Sequence, residues 1–317
     1  MPALDLNQRA WNLLESASQE SASLRIDVRQ VEGGGRVVDC GVEAAGGLEA
    51  GLFLARLTLA DLATVSLVPG ETAGRPCPRV TVRTDQPVAA CMASQYAGWQ
   101  ISLGDFFAMG SGPFRARHGK EELFDDIGHR ESSDVAVGVL ETRTLPGRQV
   151  FGHLAEKLGV EPRRLALAVA PTASLAGGVQ VVARSVETAL HKLHTLGFDL
   201  SRVVSGFGSA PLPPPAKGDL EALGRTNDAV LYGGRVNLWV RCDDDVLADV
   251  GPKVPSSSSR DHGSPFLETF ERAGRDFYQI DPHLFSPAEI VFHNLDSGRS
   301  HHFGAPNVEV LRRSFFG

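Results

Sequence analysis

The stretch from Ser174 to Gly197 constrains the fold of this chain most, because it carries two stripes of side chains at helical spacing. One stripe is apolar and recurs at steps of three and four, which predicts an amphipathic helix packed on a core. It consists of Val179, Val182, Val186, Leu190 and Leu193. Thr172 or Ser174 can cap the start of this helix, and Gly197 can close its end.

The second stripe of this helix is wholly polar and lies about 120° around the axis from the apolar one. It consists of Gln180, Arg184, Glu187, His191 and His194. A solvated helix surface is one interpretation of such a stripe. However, an acid placed before a base is the more stabilising order along a helix, and here Arg184 precedes Glu187. The lining of a cleft is therefore the other interpretation, and periodicity alone leaves both open.

Length and charge exclude several classes of protein. The chain has 317 residues, 42% of them hydrophobic, which is typical of a soluble globular protein with two domains or one elaborated domain. Its net charge of −7 argues against a nucleic-acid-binding protein, which usually carries a basic patch. We also expect neither a membrane span nor a secretory signal, because the sequence lacks an apolar run of about 18 residues and its N-terminus carries acids.

The cysteines and histidines do not form a metal or redox motif. The cysteines are scattered at Cys40, Cys77, Cys91 and Cys242, without a C-x-x-C pair. We therefore expect buried free thiols in a reducing cytoplasm. The histidines cluster near the C-terminus, at His283, His293, His301 and His302, but no H-E-x-x-H or matched acidic pair accompanies them, so we expect no metal site.

Helix and strand signals are mixed along the chain, which predicts an α+β (mixed α/β) fold. Helices are expected at 4–19, 48–59, 147–158, 265–273 and 307–314, besides the central one. Strands are expected at 24–29, 36–40, 62–68, 79–84, 135–140, 165–170, 229–241 and 288–293. We expect two α/β-type domains, at 1–133 and 134–317. If N-terminal strands pair with C-terminal ones, one domain is discontinuous.

Several segments carry groups suited to ligand binding. Tyr96 and Trp99 can form the wall of a pocket for a flat heterocycle, with core packing as the alternative. The segment Phe106–Pro113 ends in a Gly-Ser-Gly-Pro loop, which offers backbone N–H groups to an anion. The glycine-rich segment 203–211 does not complete G-x-G-x-x-G, so no dinucleotide site is inferred. The polar cluster Arg225–Asp228 is either a solvated turn or a binding group.

Taken together, seven segments resemble the methenyltetrahydromethanopterin cyclohydrolase family, in order and spacing over essentially the full length. They are Cys91–Trp99, Phe106–Pro113, Ala170–Ser174, Ala183–Thr188, Gly208–Pro211, Gly224–Gly234 and Ile280–Glu289. Each motif alone is modest, and their joint occurrence is specific. The resemblance favours the functional interpretation of the polar stripe.

This resemblance implies a cytoplasmic enzyme of one-carbon metabolism that needs no cofactor. Such enzymes hydrolyse the methenyl bridge of tetrahydromethanopterin to the 5-formyl form. The family implies two α/β-type domains with the pterin held in a cleft between them, and homo-oligomers that are commonly trimers. Its catalytic arginine and glutamate match Arg184 and Glu187 of this sequence.

The chemistry of the substrate suits these two residues. The methenyl bridge is a cyclic amidinium, and water must lose a proton as it attacks the bridging carbon. We expect Glu187 to be the general base, and later the acid that protonates the leaving nitrogen. We expect Arg184 to hold this carboxylate, orient water and lower the pKa of Glu187. The predicted substrate-binding residues are Gln95, Tyr96, Ser111, Gly112, Ser209, Arg225 and Asn227.

One position departs from the family, because archaeal members usually carry lysine where this chain has Tyr96. A role that needs a cation there does not transfer, although a tyrosine can donate a hydrogen bond or stack on the pterin. Two rival functions use the same residues. One is a cyclohydrolase or deaminase for a folate-type pterin, and the other is a pterin carrier without catalysis.

Overall fold

The computed structural model describes residues 4–96 and 98–317, and it confirms the mixed α+β class. Its α-helices are α1 Leu6–Gln19, α2 Ser21–Leu24, α3 Leu48–Thr58, α4 Phe114–His118, α5 Leu123–Asp126, α6 Arg148–Leu158, α7 Leu175–Val182, α8 Ser185–Thr195, α9 Asp219–Gly233, α10 Asp244–Val250, α11 Phe266–Arg272 and α12 Val308–Phe316. Its strands are β1 Asp27–Gln30, β2 Arg36–Asp39, β3 Thr64–Val68, β4 Glu71–Thr72, β5 Arg75–Pro76, β6 Arg79–Thr84, β7 Trp99–Leu103, β8 Phe106–Ser111, β9 Ala136–Glu141, β10 Leu165–Ala170, β11 Val203–Pro211, β12 Arg235–Val240, β13 Glu289–Asn294 and β14 Ser300–Gly304. Val88–Gln95 forms a π-helix.

The chain forms two compact units, and each is built from two separate segments. The first combines Met1–Ala63 with Ala89–Gln180, and the second combines Thr64–Val88 with Val181–Gly317. This arrangement differs from the contiguous halves expected at 1–133 and 134–317. The reason lies in the strand pairing, since β3 and β6 join a sheet whose other strands come from the C-terminal part of the chain.

The first unit is a six-stranded mixed sheet covered by helices on both faces. Its strand order is β1-β2-β10-β9-β8-β7, with β2, β10 and β9 parallel and the outer strands antiparallel. Because side chains alternate along a strand, Ala166 and Ala168 of β10 pack with α1 and α3, whereas Leu165 and Leu167 pack with α6. All of β10 is buried, as expected for a central parallel strand.

The second unit is built on another six-stranded sheet, in the order β14-β13-β12-β11-β6-β3. Only β12 and β13 run parallel, and the other neighbours are antiparallel. One face carries the buried residues Val82, Val236, Leu238 and Phe292. The residues between them are half-buried or exposed, so this sheet buries one face far more than the other.

Two segments differ in type from the sequence expectation. The polar cluster Arg225–Asp228 lies inside the helix α9, and the strand starts only at Arg235. The glycine-rich segment 203–211 is the strand β11 itself. Its glycines permit close packing, since a Cβ on Gly208 would lie 2.4 Å from the Ser185 Oγ atom of α8.

Candidate active site

The central segment consists of two helices, so the prediction of one continuous helix over 174–197 is wrong in its middle. α7 ends at Val182 and α8 begins at Ser185. Between them Arg184 has φ −94° and ψ 9°, and its amide donates to the Val181 carbonyl over three residues rather than four. The regular helical hydrogen-bond ladder is therefore interrupted at the arginine that was expected to be catalytic.

The two helices pack on different partners, which gives a physical reason for the interruption. In α7, Val179 lies against Gly51 of α3, where an added Cβ would come within 2.6 Å of the Val179 Cβ atom. In α8, Val186 lies against Gly206 and Gly208 of β11. The whole apolar stripe is nevertheless fully buried, as predicted. The break of two residues lets each helix follow its own packing surface.

Both outer ends of the segment match the sequence expectation. Ser174 caps α7, because its Oγ atom accepts a hydrogen bond from the Gly177 amide at 3.0 Å. Gly197 follows α8 with φ +77°, and its amide donates to the His194 carbonyl. The Phe198 amide also donates to the Leu193 carbonyl, so a Schellman motif closes α8.

Arg184 and Glu187 occupy the start of α8 and are both buried. Arg184 is the N-cap residue, and Glu187 lies in the first helical turn. Their exposed fractions are 6% and 5%, and Gln180 of the same stripe is 1% exposed. A solvated helix surface is therefore excluded for these three residues. The positive end of the α8 dipole favours the ionised form of a carboxylate at the position of Glu187.

Lys192 is a further polar group on α8 that sequence reasoning missed. It is buried, and its Nζ atom donates to the Ser258 Oγ atom at 3.2 Å and to the His283 carbonyl at 2.7 Å. Burial lowers the pKa of Lys192 to about 8. Its contacts tie the helix that carries Glu187 to two C-terminal loops. A single lysine among apolar residues gives no signal for such an anchoring role in a sequence.

Four predicted substrate-binding residues come together in the first unit. Gln95 ends the π-helix and donates from Nε2 to the Thr58 Oγ1 atom at 3.2 Å, with Tyr96 directly after it. Ser111 ends β8 and Gly112 follows it, and the Gly112 amide donates to the Ser94 carbonyl at 2.9 Å. The π-helix and the Gly-Ser-Gly-Pro loop are thus joined by a backbone hydrogen bond. π-Helical turns are rare and recur at functional sites.

Arg115 belongs to this cluster and was not predicted. It is 1% exposed, its guanidinium carbon lies 4.6 Å from the centre of the Tyr96 ring, and its Nη1 atom donates to the Tyr96 carbonyl. Its Nη2 atom pairs with the Glu121 carboxylate. A buried cation therefore lies against the tyrosine. In the sequence, Arg115 is marked only by its position two residues after Pro113, and a single arginine near a proline is too common to indicate a role.

Trp99 takes the alternative role of core packing. Its ring lies 4.7 Å from that of Phe114 and 4.5 Å from that of His118, and its exposed fraction is 9%. Burial, followed by the charges of Lys120, Lys157 and Arg115, lowers the pKa of His118.

The other three predicted binding residues are engaged by protein groups in the second unit. Ser209 lies on the face of β11 opposite Gly208 and α8, and its Oγ atom accepts from Arg79 at 3.0 Å. Arg225 pairs with Glu221 at 2.7 Å and donates to the carbonyls of Pro214 and Pro215. Asn227 donates to the Leu223 carbonyl one turn earlier. The structure does not bring these residues to the start of α8 as a group.

Comparison with known proteins then assigns the chain to a family. The model of the family described as Cyclohydrolase (MCH) matches residues 5–315. The chain belongs to the cyclohydrolase (MCH) family.

Several relatives match this chain over nearly their whole length, and each is named methenyltetrahydromethanopterin cyclohydrolase. The one from Rhodopirellula baltica is 51% identical over 316 residues, covering 98% of this chain and 95% of its own. The one from Methylobacterium sp. is 46% identical and covers 98% and 97%. The one from Methanosarcina barkeri is 43% identical and covers 98% of both chains.

Three C-terminal histidines of this cyclohydrolase-family chain bond to nearby side chains. His293 lies 2.9 Å from Asn237 and from Ser300, His301 pairs with Asp244, and His302 pairs with Glu289. In the residues described, no group of three or more histidine, cysteine or acidic side chains is arranged to hold a metal ion. Within the same residues, no helix is long and apolar enough to cross a membrane.

Proposed function

We propose that this chain hydrolyses 5,10-methenyltetrahydromethanopterin to 5-formyltetrahydromethanopterin. The family match over nearly the full length and the names of the relatives support the substrate and the reaction. The observation that carries the proposal in the structure is the burial of Glu187 in the first turn of α8, directly after Arg184. A buried carboxylate at a helix start is suited to act on a cationic substrate.

In the proposed reaction, a water oxygen attacks the bridging carbon of the amidinium while Glu187 takes one proton of that water. The product is a neutral tetrahedral carbon that bears a hydroxyl group. The bond from this carbon to N10 then breaks, and Glu187 returns its proton to N10. The hydroxyl group loses its proton to solvent and becomes the formyl carbonyl on N5. One water is consumed and one proton is released, so no oxidant or covalent intermediate is needed.

Arg184 is proposed to position the Glu187 carboxylate and the water rather than to react. It is the N-cap residue of α8, outside the regular ladder, and its guanidinium offers five donors in a fixed plane. Because the cationic substrate attracts a carboxylate and repels a guanidinium, Arg184 cannot take the role of Glu187 as the base. The break between α7 and α8 gives Arg184 a backbone conformation that a continuous helix would not give it.

We propose that the pterin is recognised by the cluster of Gln95, Tyr96, Ser111 and Gly112. This cluster combines an aromatic ring, a buried side-chain amide and a hydroxyl group, which suit a flat heterocycle with several polar edges. The cation of Arg115 lies under the Tyr96 ring and holds it from one side. Ser209, Arg225 and Asn227 already have protein partners, so contacts from them to the substrate stay predictions.

Comparison of two substrates tests the proposal and separates the rival functions. The loss of methenyl absorbance is followed with purified protein, using methenyltetrahydromethanopterin and methenyltetrahydrofolate side by side. We expect a much larger kcat/KM for the first substrate. A larger value for the folate would support the folate-type cyclohydrolase instead. Saturable binding of the first substrate without turnover would support the carrier.

The resemblance also implies a homotrimer in the cytoplasm that acts in one-carbon metabolism without a cofactor, and these features are part of the proposal. Light scattering coupled to size exclusion tests the oligomer. A particle with three times the mass of the chain is expected, and a monomer at micromolar concentration would contradict it. Activity that survives exhaustive treatment with a chelator and gel filtration is expected for a cofactor-free enzyme.

A further inference from the structure

A pocket lies in the second unit, away from the start of α8. It has a volume of about 320 Å³ and lies between the β4–β5 hairpin, the start of β12 and the first turns of α12. Arg79 of β6 lies at this pocket and hydrogen-bonds Ser209 on the face of β11 opposite α8. The pocket is therefore separated from Glu187 by the sheet itself.

Three arginines from three different elements line this pocket: Arg79, Arg235 and Arg312. Arg79 is held in place, because its Nε and Nη2 atoms donate to Ser209 and Nη2 also donates to the Gly233 carbonyl at 3.0 Å. Its Nη1 atom has no hydrogen-bond partner among the residues described. One donor of a fixed guanidinium thus remains available to a ligand.

The arginines outnumber the acids that line the pocket. Arg235 pairs with Glu289 at 3.3 Å and Arg312 pairs with Glu309 at 2.7 Å, but neither of these acids lines the pocket. The lining contains one acid, Glu71, which is exposed at the hairpin. Burial first, and then the charge of Arg235, lowers the pKa of Arg79, which indicates that the two cations lie close enough to repel. An anion between them would relieve this repulsion.

Two further observations point to a ligand. Thr72 lines the pocket and is 6% exposed, yet its Oγ1 atom has no hydrogen-bond partner among the residues described. An unmet buried hydroxyl is costly. The Oγ1 atom has almost no solvent-accessible surface, so the Thr72 side chain must change rotamer before this atom bonds a ligand oxygen in the pocket. The pocket also meets the N-terminus of α12 at Pro306 and Val308, where the helix dipole favours negative charge.

We propose that this pocket binds a phosphate group, with Arg79, Arg312 and Thr72 as its ligands. Three arginines, a hydroxyl and a helix N-terminus are the groups that proteins use for phosphate. The volume exceeds that of one phosphate ion, and Val308 and Leu311 provide an apolar wall. A phosphate monoester of a small organic molecule would therefore fill it better than inorganic phosphate. This inference does not depend on the cyclohydrolase activity.

Calorimetry with two probes, inorganic phosphate and glycerol 3-phosphate, tests the proposal on the full-length protein at constant ionic strength. Saturable binding of either probe is expected, and the tighter probe identifies the source of the phosphate. Arg312→Gln and Thr72→Val should each weaken binding by roughly tenfold, as expected for one hydrogen bond to a charged group. Arg313→Gln is the matched control, since Arg313 follows on the same helix, pairs with Glu268 and does not line the pocket.

Three results would overturn the proposal. One is the absence of saturation by both probes up to about 10 mM, which corresponds to a negligible affinity. Another is an equal loss of affinity in Arg312→Gln and Arg313→Gln, which would indicate an effect of surface charge only. The third is native affinity in Thr72→Val together with Arg312→Gln. Circular dichroism and the melting temperature of each variant show that it is folded before binding is measured.

Discussion

Glu187 and Arg184 differ from ordinary helix-surface residues in burial and in position. Arg184 is the N-cap residue of α8, Glu187 lies in the first turn, and both are about 95% buried. The sequence identified them through a polar stripe and a family resemblance, whereas periodicity alone favoured a solvated helix surface. The periodicity of the sequence could not show that Arg184 and Glu187 are buried, because burial depends on which elements the stripe contacts and not on its spacing.

Arg184→Lys tests whether the geometry of the guanidinium matters beyond its charge. Lysine keeps the positive charge but cannot hold a carboxylate and a water in one plane. We expect kcat to fall by roughly tenfold to a hundredfold with little change in KM. Steady-state kinetics measure this split. A rise in KM with native kcat would instead assign Arg184 to substrate binding.

Asp228 is the residue whose ionisation most clearly links stability to pH. It is fully buried in α9, accepts from the Phe266 amide at 2.7 Å and from the Ser314 hydroxyl at 2.6 Å, and burial raises its pKa to about 7. The folded state thus binds more protons than the unfolded state between about pH 4 and pH 7. Its contribution to stability is present below pH 4 and is lost as the pH rises to about 7.

Asp228→Asn removes this titration while an amide can still serve both hydrogen-bond partners. We expect the free energy of unfolding of the variant, relative to the native chain, to increase from pH 4.5 to pH 8. Urea unfolding at both values measures the difference. Parallel pH profiles for the two proteins would show that Asp228 does not titrate in this range.

Individual helices and strands show where sequence patterns predict the structure correctly and where they do not. The caps at Ser174 and Gly197 and the strand Leu165–Ala170 follow from local residue types, and the structure has them where they were expected. The break between α7 and α8 has no local signal, because the apolar stripe continues through it unchanged. It follows from packing on two different partners, which only the assembled structure contains. Helix α9 was similarly mistaken for a turn and strand, and its Asp228 bonds to Phe266 and Ser314, which lie far along the chain.

Gly208→Ala tests whether close packing of β11 holds the start of α8. The new Cβ would lie 2.4 Å from the Ser185 Oγ atom and 2.8 Å from a methyl of Val186. We expect a loss of about 1–3 kcal/mol in stability from the overpacking. We also expect a lower kcat, because Glu187 lies in the same helical turn. Thermal unfolding and steady-state kinetics measure both.

Gly152→Ala is the matched control for this substitution. Gly152 is exposed in the interior of α6, and an added Cβ meets nothing within 4 Å. Alanine should stabilise the protein by about 0.5–1 kcal/mol without changing kcat, because it restricts the unfolded chain. If Gly208→Ala behaved like this control, the packing of α8 on β11 would not matter for the site.

At the scale of the whole molecule, both units are discontinuous in sequence, and this was expected only as an alternative. Strands β3 and β6 precede most of the first unit along the chain but pair within the second sheet. Strand pairing between distant segments leaves no local mark, because each strand has the same alternation whichever partner it takes. The fold class can be predicted from local residue patterns. The division into two units can be recognised only when it is known which strands pair.

The four cysteines give a whole-molecule test of the folded state. In the described part of the chain none of them forms a disulfide, with Cys40, Cys77 and Cys91 buried and Cys242 half-buried, and burial raises the pKa of Cys40 and Cys242. We expect slow reaction of the native protein with a thiol reagent and rapid reaction of four thiols in denaturant. The melting temperature should be the same with and without reductant. Fewer than four thiols in denaturant would reveal a disulfide.

The most direct test of the central claim is the rate of methenyl hydrolysis by Glu187→Gln beside the native chain. Glutamine keeps the size and hydrogen-bonding capacity of the side chain but cannot accept the proton from water. With the variant shown to be folded and to bind the methenyl pterin, we predict a fall in kcat of roughly a hundredfold or more. A variant that retains most of the native kcat would contradict general-base catalysis by Glu187.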